Sequence, residues 1–329
     1  EMLRSLVGSE MCIRDRNYKT AMKRVDSVIS LIYSMSKAEK KAFSVQMLKD
    51  KEEKDYLVIY DIITKSKQLD SKNVKGEFHK RRPGGSFEVS IQYLYERLTD
   101  SLLTLRKKKD IYYDLLNNLC KARMLYERSL FEECFEILSD TIEQATYYEN
   151  NEVLTIALKL ELEYLLRLNF PNLAESELYH KHFMQNEALK KTRKIVEQSS
   201  LHNLLKYRLS HIGSIRTSKQ KQDMNDLMVN ELSIAASSGI EGNFELMRNH
   251  RLFQANYLMG AGEYKAALNS YKELSRLFEQ NRQFWSNPPI YYLSVLEGVL
   301  GSLRVCGQYD EIPYFLDKLK KLSLIHISE

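Results

Sequence analysis

The stretch ANYLMGAGEYKAALNSYKEL, Ala255 to Leu274, decides how the rest of this chain is read. Tyr257, Leu258 and Gly260 close one helical run, and Tyr264, Ala267 and Tyr271 open the next. Gly262 lies between them, and glycine is the residue that best ends a helix in a tight turn. The pattern predicts two helices joined by that turn. The aromatic at the start of the second is expected to fill the space between the pair. The small residue one turn later is expected to let the neighbouring helix approach.

Two other segments can be laid over this one: SLFEECFEIL from Ser129 and GQYDEIPYFL from Gly307. Each has a small residue, then an aromatic two places on: Phe131, Tyr264 and Tyr309. Three and four places later come Cys134 and Phe135, Ala267 and Leu268, and Ile312 and Pro313. Leu138, Tyr271 and Leu316 continue the same face. This arrangement resembles the tetratricopeptide repeat, whose second helix opens on a Gly-x-Tyr-x-x-Ala-type pattern. There are departures. Gly262 and Gly307 are 45 residues apart, against about 34 in the standard repeat. Ser129 stands where a turn glycine is expected, Pro313 stands at a helical position, and no clear copy lies between Leu130 and Phe244. The resemblance implies an all-α fold, an α-solenoid of antiparallel helix pairs, tetratricopeptide-like. MSKAEKKAF and LYERSLFEECFEIL also look like a group of helical-repeat proteins of gut Bacteroidetes, which implies a bacterial origin and no particular activity.

Composition agrees with a helical chain. The 329 residues include only 12 Gly and 5 Pro, well under the usual share of roughly 7% and 5%. No apolar run approaches the roughly 20 residues needed to cross a bilayer. The net charge of +5 is a mild excess for a chain with 28% charged residues, and nucleic acid is not an expected partner. Cys120, Cys134 and Cys306, with no CxxC pair, suit a reducing compartment, so a cytoplasmic location is expected.

The two ends read differently from the middle. Codons for LSLIHISE, Leu322 to Glu329, have a reverse complement that encodes the Ser-Glu-Met-Cys-Ile-Arg-Asp found at Ser9–Asp15. That DNA resembles a transposon mosaic-end sequencing adapter. Residues 1–16 and 322–329 are therefore expected to be adapter-derived and are excluded from fold reasoning. The natural sequence is expected to run from about Asn17 to Lys321 as a piece of a longer gene.

Within it, residues 17–69 read as an N-terminal helical subdomain, with Ser36 and Glu39 spaced as a capping box. Residues 70–86, DSKNVKGEFHKRRPGGS, read as a basic linker ended by Pro83-Gly84-Gly85. Residues 87–321 read as the repeat array. It includes separate helices over His180–Glu197 and Leu201–Leu209, then a polar interval, SIRTSKQKQD, before Met224.

No phosphate loop, dinucleotide turn, HExxH helix or nucleophile elbow is present. His180 and His182 form an HxH, but on a helix they point about 200° apart and cannot chelate one metal together. Glu161 and Glu163 have the same geometry, and acidic residues elsewhere are spread as on solvated helix faces. The basic clusters HKRRP at His79 and KKTRK at Lys190 lack interleaved aromatics and read as solvated faces. No catalytic, cofactor or metal residues are expected, and no enzyme. The repeat-signature residues are Phe131, Cys134, Tyr257, Gly260, Gly262, Tyr264, Ala267, Tyr271, Gly307 and Tyr309. The expected function is a protein-interaction scaffold that takes a protein or peptide in a concave groove, lined by outward tyrosines. The alternative is the sensor or interaction arm of a bacterial transcriptional or signalling regulator whose output domain lies outside this sequence.

Overall fold

A computed structural model describes residues 24–47, 54–65, 70–107, 110–212, 215, 217–238, 242–285 and 290–328. Among the described residues every regular element is helical. Two compact units divide between Lys109 and Asp110. Residues 1–16, expected to be adapter-derived, lie outside the described residues.

The first unit holds α1 (24–34), α2 (Lys37–Met47), α3 (Asp55–Lys65), α4 (Ser71–Arg81) and α5 (Phe87–Arg106). The start of α2 is the expected capping box. The Ser36 amide donates to Glu39 Oε2 at 2.7 Å, and the Glu39 amide donates to Ser36 Oγ at 3.2 Å. Ile32, Phe43, Ile59, Ile63, Val74, Phe78, Ile91 and Leu98 come from all five helices and form one core.

Helix α4 corrects the expected linker. Val74 and Phe78 are one turn apart and fully buried, so the segment carries an apolar stripe thin enough to be missed among its charges. His79, Lys80 and Arg81 lie in its last turn, where they complement the helix dipole. Cations here are also paired: Lys80 with Glu77, Arg81 with Asp61 and, just past the helix, Arg82 with Asp55. The Pro83-Gly84-Gly85 break serves as a turn into α5 inside one core, and the division between units falls about 25 residues later than the sequence suggested.

The second unit runs through α6 (Ile111–Glu127), α7 (Phe131–Tyr147), α8 (Asn151–Arg167), α9 (Glu175–Ile212), α10 (Ser218–Ser238), α11 (Phe244–Gly260), α12 (Tyr264–Gln280), α13 (Ile290–Cys306) and α14 (Ile312–Ser328). From α6 to α10 and from α11 to α14 each packs against the next, and α9 touches α8, α10 and α11. Helix starts fall 20 residues apart at Ile111, Phe131 and Asn151, and again at Phe244 and Tyr264, because helices of 17 residues alternate with short turns.

Those turns share one chemistry. Leu130, Asn150, Phe170, Glu263 and Gln308 each donate an amide to the carbonyl five residues back, at 2.8–3.0 Å. The residue before each, respectively Ser129, Glu149, Asn169, Gly262 and Gly307, has φ between 50° and 81°. This is the Schellman end, which turns the chain sharply and satisfies a terminal carbonyl. Glycine suits it best, but Ser129, Glu149 and Asn169 adopt it too, which is why the repeat was invisible between Leu130 and Phe244.

Two further expectations are corrected. Helix α9 is one helix of 38 residues, not two; Ser200 donates to the Val196 carbonyl at 2.8 Å and so fits inside it. The polar interval before Met224 holds another capping box, Thr217 with Gln220, that starts α10 at Ser218. Helix α14 runs on to Ser328 with Leu322 buried, through the stretch set aside as adapter-derived. Pro313 sits in the first turn of α14, where its missing N–H costs no helical hydrogen bond.

Candidate functional site

The signature residues occupy three kinds of place. Cys134, Ala267, Tyr257 and Tyr271 are buried. Ala267 lies in the same core cluster as Tyr271, Val295 and Val299. Gly298 of α13 lies under the Tyr271 ring, where an added Cβ would come within 2.3 Å of Cε1. Gly260 faces Leu209 of α9 in the same way, at 2.5 Å. Gly262 and Gly307 hold the turns.

The leading aromatics do not fill the gap within each pair. Tyr264 is 38% exposed and Tyr309 62%, while Phe131 is partly covered by Tyr126 at 5.3 Å between ring centres. A side chain at the first helical position leans back over the turn before it, away from the helix contact. Tyr309 also sits in a short 3-10 turn, one turn before α14 begins.

A cavity of about 240 Å³ opens on the second unit, between the starts of α6, α8, α11 and α13 and the middle of α9. Tyr112, Tyr148, Phe244, Phe284 and Tyr291 supply rings; Glu149, Glu152, Glu245 and Arg248 supply charge. None of these is a signature residue. Tyr112, Tyr148 and Tyr291 each stand beside a second tyrosine in the chain, Tyr113, Tyr147 and Tyr292. The structure separates those pairs unevenly. Tyr292 is buried beneath exposed Tyr291, whereas Tyr112 and Tyr113 are both exposed.

Two contacts set the geometry of the cavity. The Glu149 carboxylate accepts the Phe244 amide at 2.9 Å, capping α11 from the α7–α8 turn. Burial pushes Glu149 above the usual carboxylate range, although the Glu245 and Phe244 amides both favour its charged form. Opposite, Arg248 is 7% exposed and its guanidinium lies 3.9 Å from the centre of the Tyr291 ring. It donates to Glu245 at 2.8 Å and to Asn249 at 3.0 Å. The cavity wall is thus prearranged, with its one arginine already held from both sides.

Behind this wall lies a polar chain. The Tyr271 hydroxyl donates to Asn256 Oδ1 at 3.1 Å, and Asn256 Nδ2 donates to His202 Nε2 at 3.0 Å, which assigns His202 the tautomer with a free lone pair there. Burial, with Lys206 and Arg248 nearby, holds His202 down to about 4. Glu161 is 6% exposed and bound through both oxygens to Lys181, at 2.8 and 2.9 Å. The KKTRK cluster is partly neutralised along its helix, Lys190 by Glu187 and Arg193 by Glu197.

Among the described residues no three His, Cys, Asp or Glu side chains converge as a metal site, and no helix is long and apolar enough to cross a membrane. No family model, curated protein or solved structure matches the chain.

Proposed function

We propose that the second unit is a tetratricopeptide-like α-solenoid and that it works as a non-enzymatic protein-interaction scaffold, with the cavity beside Tyr112 and Tyr291 as its docking point. The observation that carries this reading is the cavity itself. It collects partly exposed aromatic rings from separate helix starts around a buried Arg248 and a half-buried Glu149, both already oriented. Tyrosines offer large contact area with little side-chain entropy to lose on binding. The prearranged Glu149 and Arg248 need no reorganisation when a partner arrives, which lowers the cost of association.

The test is selection of random displayed peptides against the chain, followed by amide hydrogen exchange of the chain with the best peptide bound. Slowed exchange at Tyr148–Glu152 and Phe244–Arg248 is expected. Protection confined to another face would overturn the assignment.

A further inference from the structure

We infer that the cavity accepts a cationic side chain, an arginine or a lysine, projecting from the partner; this rests on the scaffold reading above. Size is the first argument. At about 240 Å³ the cavity is smaller than the roughly 300–1,000 Å³ of most small-molecule sites, so it fits one side chain of a larger partner better than a free metabolite.

Charge is the second. The lining holds three carboxylates, Glu149, Glu152 and Glu245, against one guanidinium, a formal −2. Helix starts oppose this with about half a positive charge each. The start of α6 is answered by its own Asp110, which accepts the Tyr112 amide at 3.0 Å. The starts of α8, α11 and α13 together bring about +1.5, which reduces the excess without reversing it. Arg248 offers no anion site, because Glu245, Asn249 and the Tyr291 ring already engage it.

The rings supply the third. Arg248 occupies Tyr291 on its inner side, while the ring remains 39% exposed and Tyr112 41%. An incoming cation would meet aromatic faces beside carboxylates, the combination that holds guanidinium and ammonium groups. Glu149 supports the same conclusion. Burial raises its carboxyl although two amides and the charge of Lys191 favour the ionised form, and a cation arriving from the partner would add to that favourable side.

Peptides enriched by display on the full chain, after counter-selection on Tyr112→Ala, are the probes. Each is expected to carry an Arg or Lys whose replacement by citrulline or acetyl-lysine weakens binding at least tenfold. Glu152→Lys, at an exposed position, is expected to weaken the same peptides to a similar degree while the chain stays folded, its melting temperature lowered only slightly by a cation in the first turn of α8. Enriched peptides that tolerate both changes would overturn the charge assignment and leave the groove a peptide site. No enrichment over the counter-selection would overturn the groove and this inference together.

Discussion

The carboxylate of Glu149, in the turn between α7 and α8, accepts the amide of Phe244 at the start of α11, 95 residues away, at 2.9 Å. One residue therefore turns the chain in its own helix pair, through a backbone φ of 50°, and caps a helix in another with its side chain. Removing the acceptor leaves a partly buried N–H without a partner. Glu149→Ala is expected to lose about 1–2 kcal/mol, and Glu149→Gln, which keeps an acceptor, is expected to lose less. Urea unfolding of both variants measures the difference. Equal losses would mean the hydrogen bond is not what Glu149 contributes.

The shared turn geometry makes a paired prediction. Ser129 and Gly262 occupy equivalent left-handed positions. Gly262→Ala is expected to cost about 1–2 kcal/mol, while Ser129→Gly is expected to gain up to about 1 kcal/mol. Opposite shifts in the urea midpoint are the expected outcome. Shifts of the same sign would show that the two turns are not equivalent.

Close packing of α12 against α13 gives another. At Gly298 a methyl group would meet the Tyr271 ring, which is buried and has no room to swing aside. Gly298→Ala is expected to destabilise by about 1–3 kcal/mol, and Ala267→Trp by at least as much. Thermal melting reads both. An unchanged melting temperature in Ala267→Trp would mean that the helix register drawn from the signature is wrong.

Acid should act through His202. Its value of about 4 in the fold lies below the ordinary 6.5, so the unfolded chain binds more protons in the interval between. Its contribution is therefore complete above about 6.5 and is lost as pH falls toward 4, by roughly 3 kcal/mol at most. Glu149 has the opposite sign, since its raised value lets the fold bind the extra proton as pH falls toward the carboxylate range. Stability measured from pH 7 to pH 4.5 should fall less steeply in His202→Gln than in the parent. Parallel curves would remove His202 from the account.

How much of this could be read from the sequence depends on how local each feature is. The helix pair at Tyr257–Tyr271, the Ser36–Glu39 box and the buried Ala267 are written within about one or two turns of chain. Helix α4 was read as a linker because its two anchors, Val74 and Phe78, stand among charges that are paired only in the fold. Past the copy at Ser129 the 20-residue module is hidden because Glu149 and Asn169 perform a glycine's task. The cavity is less local still. Its residues come from helix starts more than 100 residues apart, and neither Glu149 nor Arg248 carries a local mark of its role.

The central claim is that this cavity is where a partner docks, and calorimetric titration with a display-selected peptide tests it most directly. Tyr291→Ala removes a wall of the cavity that plays no part in the selection. The account predicts at least a tenfold loss of affinity, about 1.4 kcal/mol or more, relative to the parent chain. Affinity unchanged by Tyr291→Ala would place the peptide elsewhere and contradict the claim.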